Sequence, residues 1–325
     1  MSKSLEEYAD WLDTRDLLWP EAPDAVPVKA TPYLKPFAEV RAVIWSLYGM
    51  LLRIGDGRLH LLHPQPMPMQ IALEKTIHEF NMWNSMSRKP GQPWEYMLQQ
   101  YTRLVEDERL AASPRKGEST EVDAAKVWAK IIERLGQKEY QWDEDLYGEL
   151  EEYSEKIAYF FHSCLQGVAA MPDAYSTLMA VCGAGFTQGI VGDGQVFSLL
   201  QLTRALRKQG TLPSLRDLFP TGTVSLSYQA GVRQPAASLF ERTVKEFARN
   251  GLEPKEIVYI SPRLGEELAV ARKLGLRTAL FCGDQHSLQA AKDEVNRPEL
   301  RPDRILTGLS QVLQILGLNS GTPRY

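Results

Sequence analysis

The chain has no long hydrophobic run, because none of its apolar stretches reaches the roughly 20 residues that a membrane-spanning helix needs. The first seven residues also lack the apolar core of a secretory signal. Neither sign of charge dominates, since 37 Lys and Arg stand against 41 Asp and Glu, for a net charge of −4. This balance leaves no excess of positive charge that would indicate binding to nucleic acid. We therefore predict a cytoplasmic protein that binds neither membrane nor nucleic acid.

Cysteine and histidine are also scarce. The three cysteines, Cys164, Cys182 and Cys282, lie far apart and show no metal-ligand spacing. We predict that each is a small buried side chain in a reducing compartment. No histidine lies near any of the strand-end motifs, so the sequence offers no obvious Ser–His nucleophile. We predict no metal site and no cofactor.

What the sequence does contain is an alternation of short apolar runs and helical patterns, in a chain of 325 residues that suggests two domains. The run 42–47 is nearly all apolar, which is typical of a strand buried on both faces of a parallel sheet. Further strands are predicted at 188–192, 223–227, 256–261, 277–282 and 304–306. Helical patterns connect them, which predicts an α/β fold with a doubly wound, Rossmann-like parallel sheet.

Two stretches fall outside this alternation. Residues 1–40 form an arm whose prolines, from Pro20 to Pro36, predict an extended strap that packs on the body. Residues 64–172 carry four apolar stripes at helical spacing and are too long for an ordinary connection, so they predict an inserted all-helical cap domain. The predicted α/β core then comprises 41–63 and 173–318. Within it, 53–63 predicts a small hairpin with Gly-Asp-Gly at its tip.

Several short motifs in the core resemble one known family. Tyr48-Gly49-x-Leu51 follows the first predicted strand, and Gly231-Val232-x-x-Pro235 and Ala271-Arg272-x-x-Gly275 occur later in the expected order. The run around the first strand resembles the first motif of the haloacid dehalogenase-like (HAD) superfamily, especially members that read D-x-Y-G-T-L-L. The resemblance covers about residues 40–317 and implies a Rossmann-like core with a helical cap inserted after the first strand.

The same resemblance implies a hydrolytic mechanism. An aspartate on the first strand is the nucleophile, because a carboxylate can attack and leave again as an acyl-linked intermediate. A Ser or Thr on a second strand and a Lys on a third bind the transferred group. Acidic residues after a fourth strand hold Mg²⁺ in the phosphatase members, since Mg²⁺ prefers anionic oxygen ligands. We therefore expect these four stations to meet in one cleft.

At each station this sequence departs from the family pattern. Ser46 stands at the position of the nucleophilic aspartate, and Gly192 at that of the hydroxyl residue. Gln234 takes the place of the lysine, and Ser261-Pro262 that of the family's Gly-Asp. Either Glu266 or Glu267 matches the second acidic position. Because strand alternation aims neighbouring residues to opposite sides, we expect Arg233 to point away from the cleft.

The candidate residues follow from this alignment. Candidate catalytic positions are Ser46, Tyr48, Asp193 and Gln234, and candidate ligand-binding positions are Gly192, Arg233, Arg263, Glu266 and Glu267.

Three hypotheses remain open. The chain is a catalytically degenerate HAD-like protein that acts in binding or regulation, with an unknown small-molecule or protein partner. Alternatively it is an active hydrolase of small phosphorylated or halogenated substrates, with Mg²⁺ admitted only in that case. Ser46 is then the nucleophile, or Asp193 and a glutamate act as acid and base. Thirdly, the aromatic-rich cap and the arm form a protein–protein surface.

Overall fold

The computed structural model of the protein describes residues 2–83, 91–112, 115, 117–212 and 214–318. The strands are β1 (Ala42–Trp45), β2 (Leu52–Ile54), β3 (Ser119–Thr120), β4 (Val168–Ala170), β5 (Thr187–Gly192), β6 (Val224–Leu226), β7 (Val232–Arg233), β8 (Ile257–Ser261), β9 (Arg277–Phe281) and β10 (Arg304–Leu306). The helices are α1 (Leu5–Asp13), α2 (Pro66–Glu79), α3 (Pro93–Ala111), α4 (Ala124–Gly136), α5 (Glu144–Tyr147), α6 (Leu150–Leu165), α7 (Ala174–Gly183), α8 (Ser198–Arg207), α9 (Leu215–Leu218), α10 (Ser227–Ala230), α11 (Ala237–Arg249), α12 (Ala269–Lys273) and α13 (Gln311–Ile315). A π-helical turn (Leu264–Leu268) precedes α12.

Strand β1 lies inside a six-stranded parallel sheet of order β10-β9-β8-β1-β5-β6. Its side chains alternate between two cores: Val43 and Trp45 pack into the larger one, while Ala42 and Ile44 pack into the smaller one with α11. All four are fully buried, as a strand covered on both faces must be. The predicted doubly wound α/β fold is therefore confirmed.

The inserted segment is helical, as predicted. Between β2 and β4 the described residues form α2 to α6 and the two-residue strand β3. Strands β2 and β4 pair antiparallel and form the two connections to the core. The predicted hairpin over 53–63 is wrong, because β2 pairs with β4 and the chain after it closes a turn in which Gly57 N donates to Ile54 O. The boundaries at 64 and 172 stay a prediction.

The N-terminal arm packs on the body as an extended strap. Its helix α1 buries Tyr8, Ala9 and Leu12 in the larger core. On one side α1 contacts the helical insertion at α6, and on the other it forms ion pairs with α8, between Asp10 and Arg204 and between Glu6 and Arg207. The arm therefore bridges the insertion and the core. Among the described residues, no helix has the length and apolar character needed to cross a membrane.

Candidate functional site

The residues that follow β1, β5 and β8 meet at one edge of the sheet. Because β1 lies between β5 and β8, Ser46, Asp193 and Pro262 leave three adjacent parallel strands at their carboxyl ends, where open α/β sheets bind ligands. Ser46 N donates to Ile260 O at 3.0 Å and extends the ladder to this edge. Gly49 then turns the chain with a φ of +83°, which an L side chain rarely adopts.

Ser46 occupies the centre of this edge. Its residue surface is only 1% exposed, and its Oγ has no hydrogen bond of good geometry among the described residues. Burial of Tyr259, together with the neighbouring Glu267 carboxylate, raises the Tyr259 pKa well above its usual 10. The nearby Ser46 hydroxyl has the opposite but smaller effect on this pKa. Tyr259 therefore remains protonated and is a hydrogen-bond donor beside Ser46.

Glu267 is the acceptor at the centre of a buried polar network. Its Oε2 accepts from Tyr259 Oη at 2.7 Å and from Ser261 Oγ at 2.6 Å, and its Oε1 accepts from Arg263 Nη1 at 2.6 Å. The π-helical turn, with Leu268 N bonded to Arg263 O, directs Glu267 inward. Both carboxylate oxygens are thus engaged by neighbouring side chains.

The two candidate glutamates are therefore separated by the structure. Glu267 is 1% exposed and belongs to the network, whereas the side chain of Glu266 is 45% exposed and pairs with Arg58 at 2.8 Å. The structure brings Glu267, and not Glu266, to the end of β8.

Arg263 lies across the loop that follows β1. It is 6% exposed, and besides Glu267 its Nη2 donates to Tyr48 O at 3.2 Å and to Gly57 O. The guanidinium thus links the end of β8 to the loop 48–57. Gly57 must be glycine here, because an added Cβ would lie 2.8 Å from Ser287 Cα in a residue with a φ of +78°.

Asp193 and Gln234 meet at the opposite side of Ser46. Asp193 Oδ1 accepts from Gln234 N at 2.7 Å, and its Oδ2 pairs with Arg233 Nη2 at 3.3 Å. Gln234 Nε2 in turn donates to Tyr259 Oη at 2.9 Å, which joins the two sides. Burial raises the pKa of Asp193, while Arg233 opposes the increase.

The expectation that Arg233 points away from the cleft is wrong, because its side chain contacts Asp193. Strand β7 is only two residues long and pairs with β3 of the insertion outside the main sheet, so the alternation of that sheet does not apply to it. Gly192 lies against the exit of β1, since an added Cβ would be 3.3 Å from Leu47 N.

One residue of this region was missed by the sequence reasoning. Glu121 follows β3 and is carried to the core by the β3–β7 pairing. Its Oε2 accepts from Ser227 Oγ at 2.6 Å and lies 3.7 Å from Arg233 Nε, while its Oε1 accepts from Val122 N. Burial, and secondarily the charge of Asp193, raises the Glu121 pKa to about 7. No local pattern in the sequence links position 121 to this edge.

Tyr48 is placed beside the site with its hydroxyl turned toward α8. Its Oη forms hydrogen bonds with Ser198 Oγ at 2.8 Å and with Gln201 Oε1 at 2.6 Å. Burial raises the Tyr48 pKa, so the hydroxyl stays neutral. Only the backbone carbonyl of Tyr48 reaches the Arg263 network.

The residues of this edge do not fit a magnesium site. Mg²⁺ requires anionic oxygens that are free to coordinate it. Glu267 accepts from three side chains, Asp193 is held by Arg233 and Gln234 N, and Ser46 is neutral. Across the residues that the structure describes, no group of three or more His, Cys, Asp and Glu is arranged to hold a metal ion.

Solved structures resemble this architecture, although no protein-family model matches the sequence and no curated protein does. A 2-haloacid dehalogenase from Pseudomonas syringae pv. Tomato DC3000 is similar over 86% of this chain and 98% of its own, with a TM-score of 0.50 and 16% identity. The chain has the HAD-like fold. A HAD phosphatase from Thermococcus onnurineus is similar over 86% of this chain and 98% of its own, with a TM-score of 0.46 and 18% identity. The similarity to the dehalogenase confirms the HAD-like fold expected from the sequence motifs.

Proposed function

We propose that this HAD-like chain is catalytically degenerate and acts by binding a small molecule or a protein partner. The observation that supports this most directly is the engagement of Glu267. Its two oxygens accept from Tyr259, Ser261 and Arg263, so the retained carboxylate is already held by three side chains of the protein itself. The loss of the nucleophilic aspartate at Ser46 supports the same conclusion.

Ser46 is a poor nucleophile in this environment. A serine hydroxyl needs an adjacent base to take its proton. No carboxylate or imidazole of the described residues is hydrogen-bonded to Ser46 Oγ, and the neighbouring Tyr259 is held protonated by its raised pKa. Removal of a catalytic nucleophile in other hydrolases costs about 10⁶-fold in rate.

The same edge also contains polar atoms that a bound ligand would satisfy. Three buried polar atoms have no partner of good geometry among the described residues: Ser46 Oγ, Gln234 Oε1 and Arg263 Nε. A buried polar group without a partner costs about 1–3 kcal/mol, so a bound group that satisfies these atoms would stabilise the protein. Together they offer a donor, an acceptor and a hydroxyl, which matches a small hydrogen-bonding ligand.

Turnover of phosphate esters tests this proposal. The purified protein is assayed with p-nitrophenyl phosphate and with a panel of phosphorylated and halogenated small molecules, with and without Mg²⁺. We expect no turnover above that of the Ser46→Ala variant. Metal-dependent turnover that Ser46→Ala abolishes would overturn the proposal.

A second candidate function has one observation in its favour. Glu121, which is buried, and Asp193, which is partly buried, both contact Arg233, and the Glu121 pKa of about 7 suits a general acid or base. A hydrolase built on this pair would act without the nucleophilic aspartate. Such a hydrolase would turn over a substrate at a rate that changes with pH around pH 7, and the Glu121→Gln variant would lose this turnover. A screen without any such substrate would dismiss it.

The location of the protein is also a proposal. The three cysteines are free thiols, and two of them, Cys164 and Cys282, are buried. Unpaired buried cysteines are typical of reducing compartments, which supports a cytoplasmic protein.

A further inference from the structure

Arg263 faces the kind of oxygen atoms that usually hold a divalent cation. One guanidinium contacts the carboxylate of Glu267 and two backbone carbonyls, Tyr48 O and Gly57 O. Carboxylate and carbonyl oxygens converging on one point are the ligands that Mg²⁺ and Ca²⁺ select. Here the positive charge that they surround belongs to a side chain of the same protein.

We propose that Arg263 is an internal cation that takes the place of a divalent ion at this edge of the sheet. Its guanidinium neutralises Glu267 and occupies the carbonyl oxygens of the loop after β1, so that the site needs no metal and admits none. The inference rests on the proposed function, because a cleft whose cation is covalently part of the chain has no exchangeable metal for hydrolysis.

The burial of the Arg263–Glu267 ion pair indicates that it is part of the protein interior and not a surface contact. The side chains of Arg263 and Glu267 are 7% and 1% exposed, respectively. Two charges so far from water are tolerated only when good geometry and further hydrogen bonds compensate the loss of hydration. Tyr259 and Ser261 supply these bonds to the carboxylate, and the two carbonyls supply them to the guanidinium.

The chemistry of arginine also suits the role better than that of lysine. A planar guanidinium carries several donors in fixed directions and remains charged when buried. Arg263 Nη1 donates to the Glu267 carboxylate, while Nη2 donates to the carbonyl oxygens of Tyr48 and Gly57. Ser261 Oγ, which accepts from Arg263 N at 3.0 Å, holds the start of the π-helical turn so that the side chain is directed at the loop.

Metal binding in engineered variants tests the proposal. Mn²⁺ is the probe, and its binding is followed by electron paramagnetic resonance and by calorimetry. We expect no specific Mn²⁺ site in the wild-type protein. Arg263→Ala should gain a site that binds Mn²⁺ at least about tenfold more tightly than the wild-type protein does, because the freed carboxylate and carbonyls become metal ligands. Arg263→Ala/Glu267→Gln should lose that site. Arg58→Ala is the matched control, since it removes an arginine that pairs with the exposed Glu266, and it should gain no site.

Two results would overturn the proposal: a Mn²⁺ site in the wild-type protein that Glu267→Gln abolishes, or a folded Arg263→Ala variant that gains none. If Arg263→Ala does not fold, urea unfolding of the other variants decides. An unpaired buried charge destabilises more than the loss of both partners. Glu267→Gln should therefore lower the unfolding midpoint of the wild-type protein but restore folding to the Arg263→Ala background, and failure to restore it would refute the coupling.

The outcome is separable from that of the proposed function. Hydrolysis of a phosphate ester by the wild-type protein without metal would overturn the proposed function and leave Arg263 as the internal cation. A Mn²⁺ site gained in Arg263→Ala without any turnover would support both.

Discussion

Replacing Glu121 with glutamine isolates the electrostatics of the contact between the helical insertion and the core. The substitution keeps the shape of the side chain and one of its two acceptor oxygens, but it removes the ionisation. Because Glu121 is 9% exposed and lies beside Asp193 and Arg233, its protonation is linked to folding. The variant should therefore differ from the wild-type protein in the pH dependence of its stability.

The sign and the size follow from the raised pKa. The pKa of Glu121 is about 7 in the folded protein against an ordinary value of 4.5. A raised carboxyl pKa contributes stability that is fully present below pH 4.5 and is lost as the pH rises through about 7. The pKa difference corresponds to roughly 3 kcal/mol of unfolding free energy. Most of it, about 2 to 3 kcal/mol, should disappear between pH 5 and pH 8.

Urea unfolding, followed by tryptophan fluorescence at several pH values, measures this contribution. The quantity of interest is the unfolding free energy of the wild-type protein minus that of Glu121→Gln, in which effects of other groups cancel. We expect this difference to fall as the pH rises from 5 to 8. Glu266→Gln, which removes an exposed carboxylate of the same region, should cost less than about 1 kcal/mol at any pH. A difference for Glu121→Gln that stays constant or grows with pH would refute the reasoning.

Three further outcomes can be checked. Ser46→Asp should not create phosphatase activity in an assay with Mg²⁺, and it should lower the unfolding free energy by several kcal/mol, because it buries a second carboxylate beside the Glu267 network. Gly57→Ala should lower the melting temperature, since its Cβ would lie 2.8 Å from Ser287, whereas Gly136→Ala, with open space around it in α4, should be neutral or stabilising. Deletion of residues 2–13 should speed amide hydrogen exchange in α6 and α8, and unchanged exchange there would show that α1 does not hold them together.

The arm and the β3–β7 pair connect the insertion to the core at two separate places. Helix α1 binds α6 of the insertion and α8 of the core, and on another side the insertion is attached through the β3–β7 pair and Glu121. Two separate attachments restrict relative motion more than one hinge would.

Local sequence was sufficient for the sheet and for the identity of the residues that follow its strands. The run 42–47 predicts a strand buried on both faces because every residue in it except Ser46 is apolar, and the structure places β1 inside the sheet. The identity of Ser46, Gly192 and Gln234 is likewise readable without coordinates, because chain order fixes which strand each follows. Patterns of this kind depend only on neighbours a few residues away.

The contents of the site required the tertiary structure. The sequence left Glu266 and Glu267 equivalent, and only the π-helical turn, which shifts the helical phase by one residue, directs Glu267 inward. Arg233 and Glu121 lie more than 100 residues apart, and it is the β3–β7 pairing that brings them together. Periodicity reports which face of an element is apolar, but the direction of a polar side chain depends on partners supplied by distant segments. The sequence by itself therefore determined the scaffold and the residues that stand at the ends of its strands, whereas folding alone decided which charges meet at the end of β1.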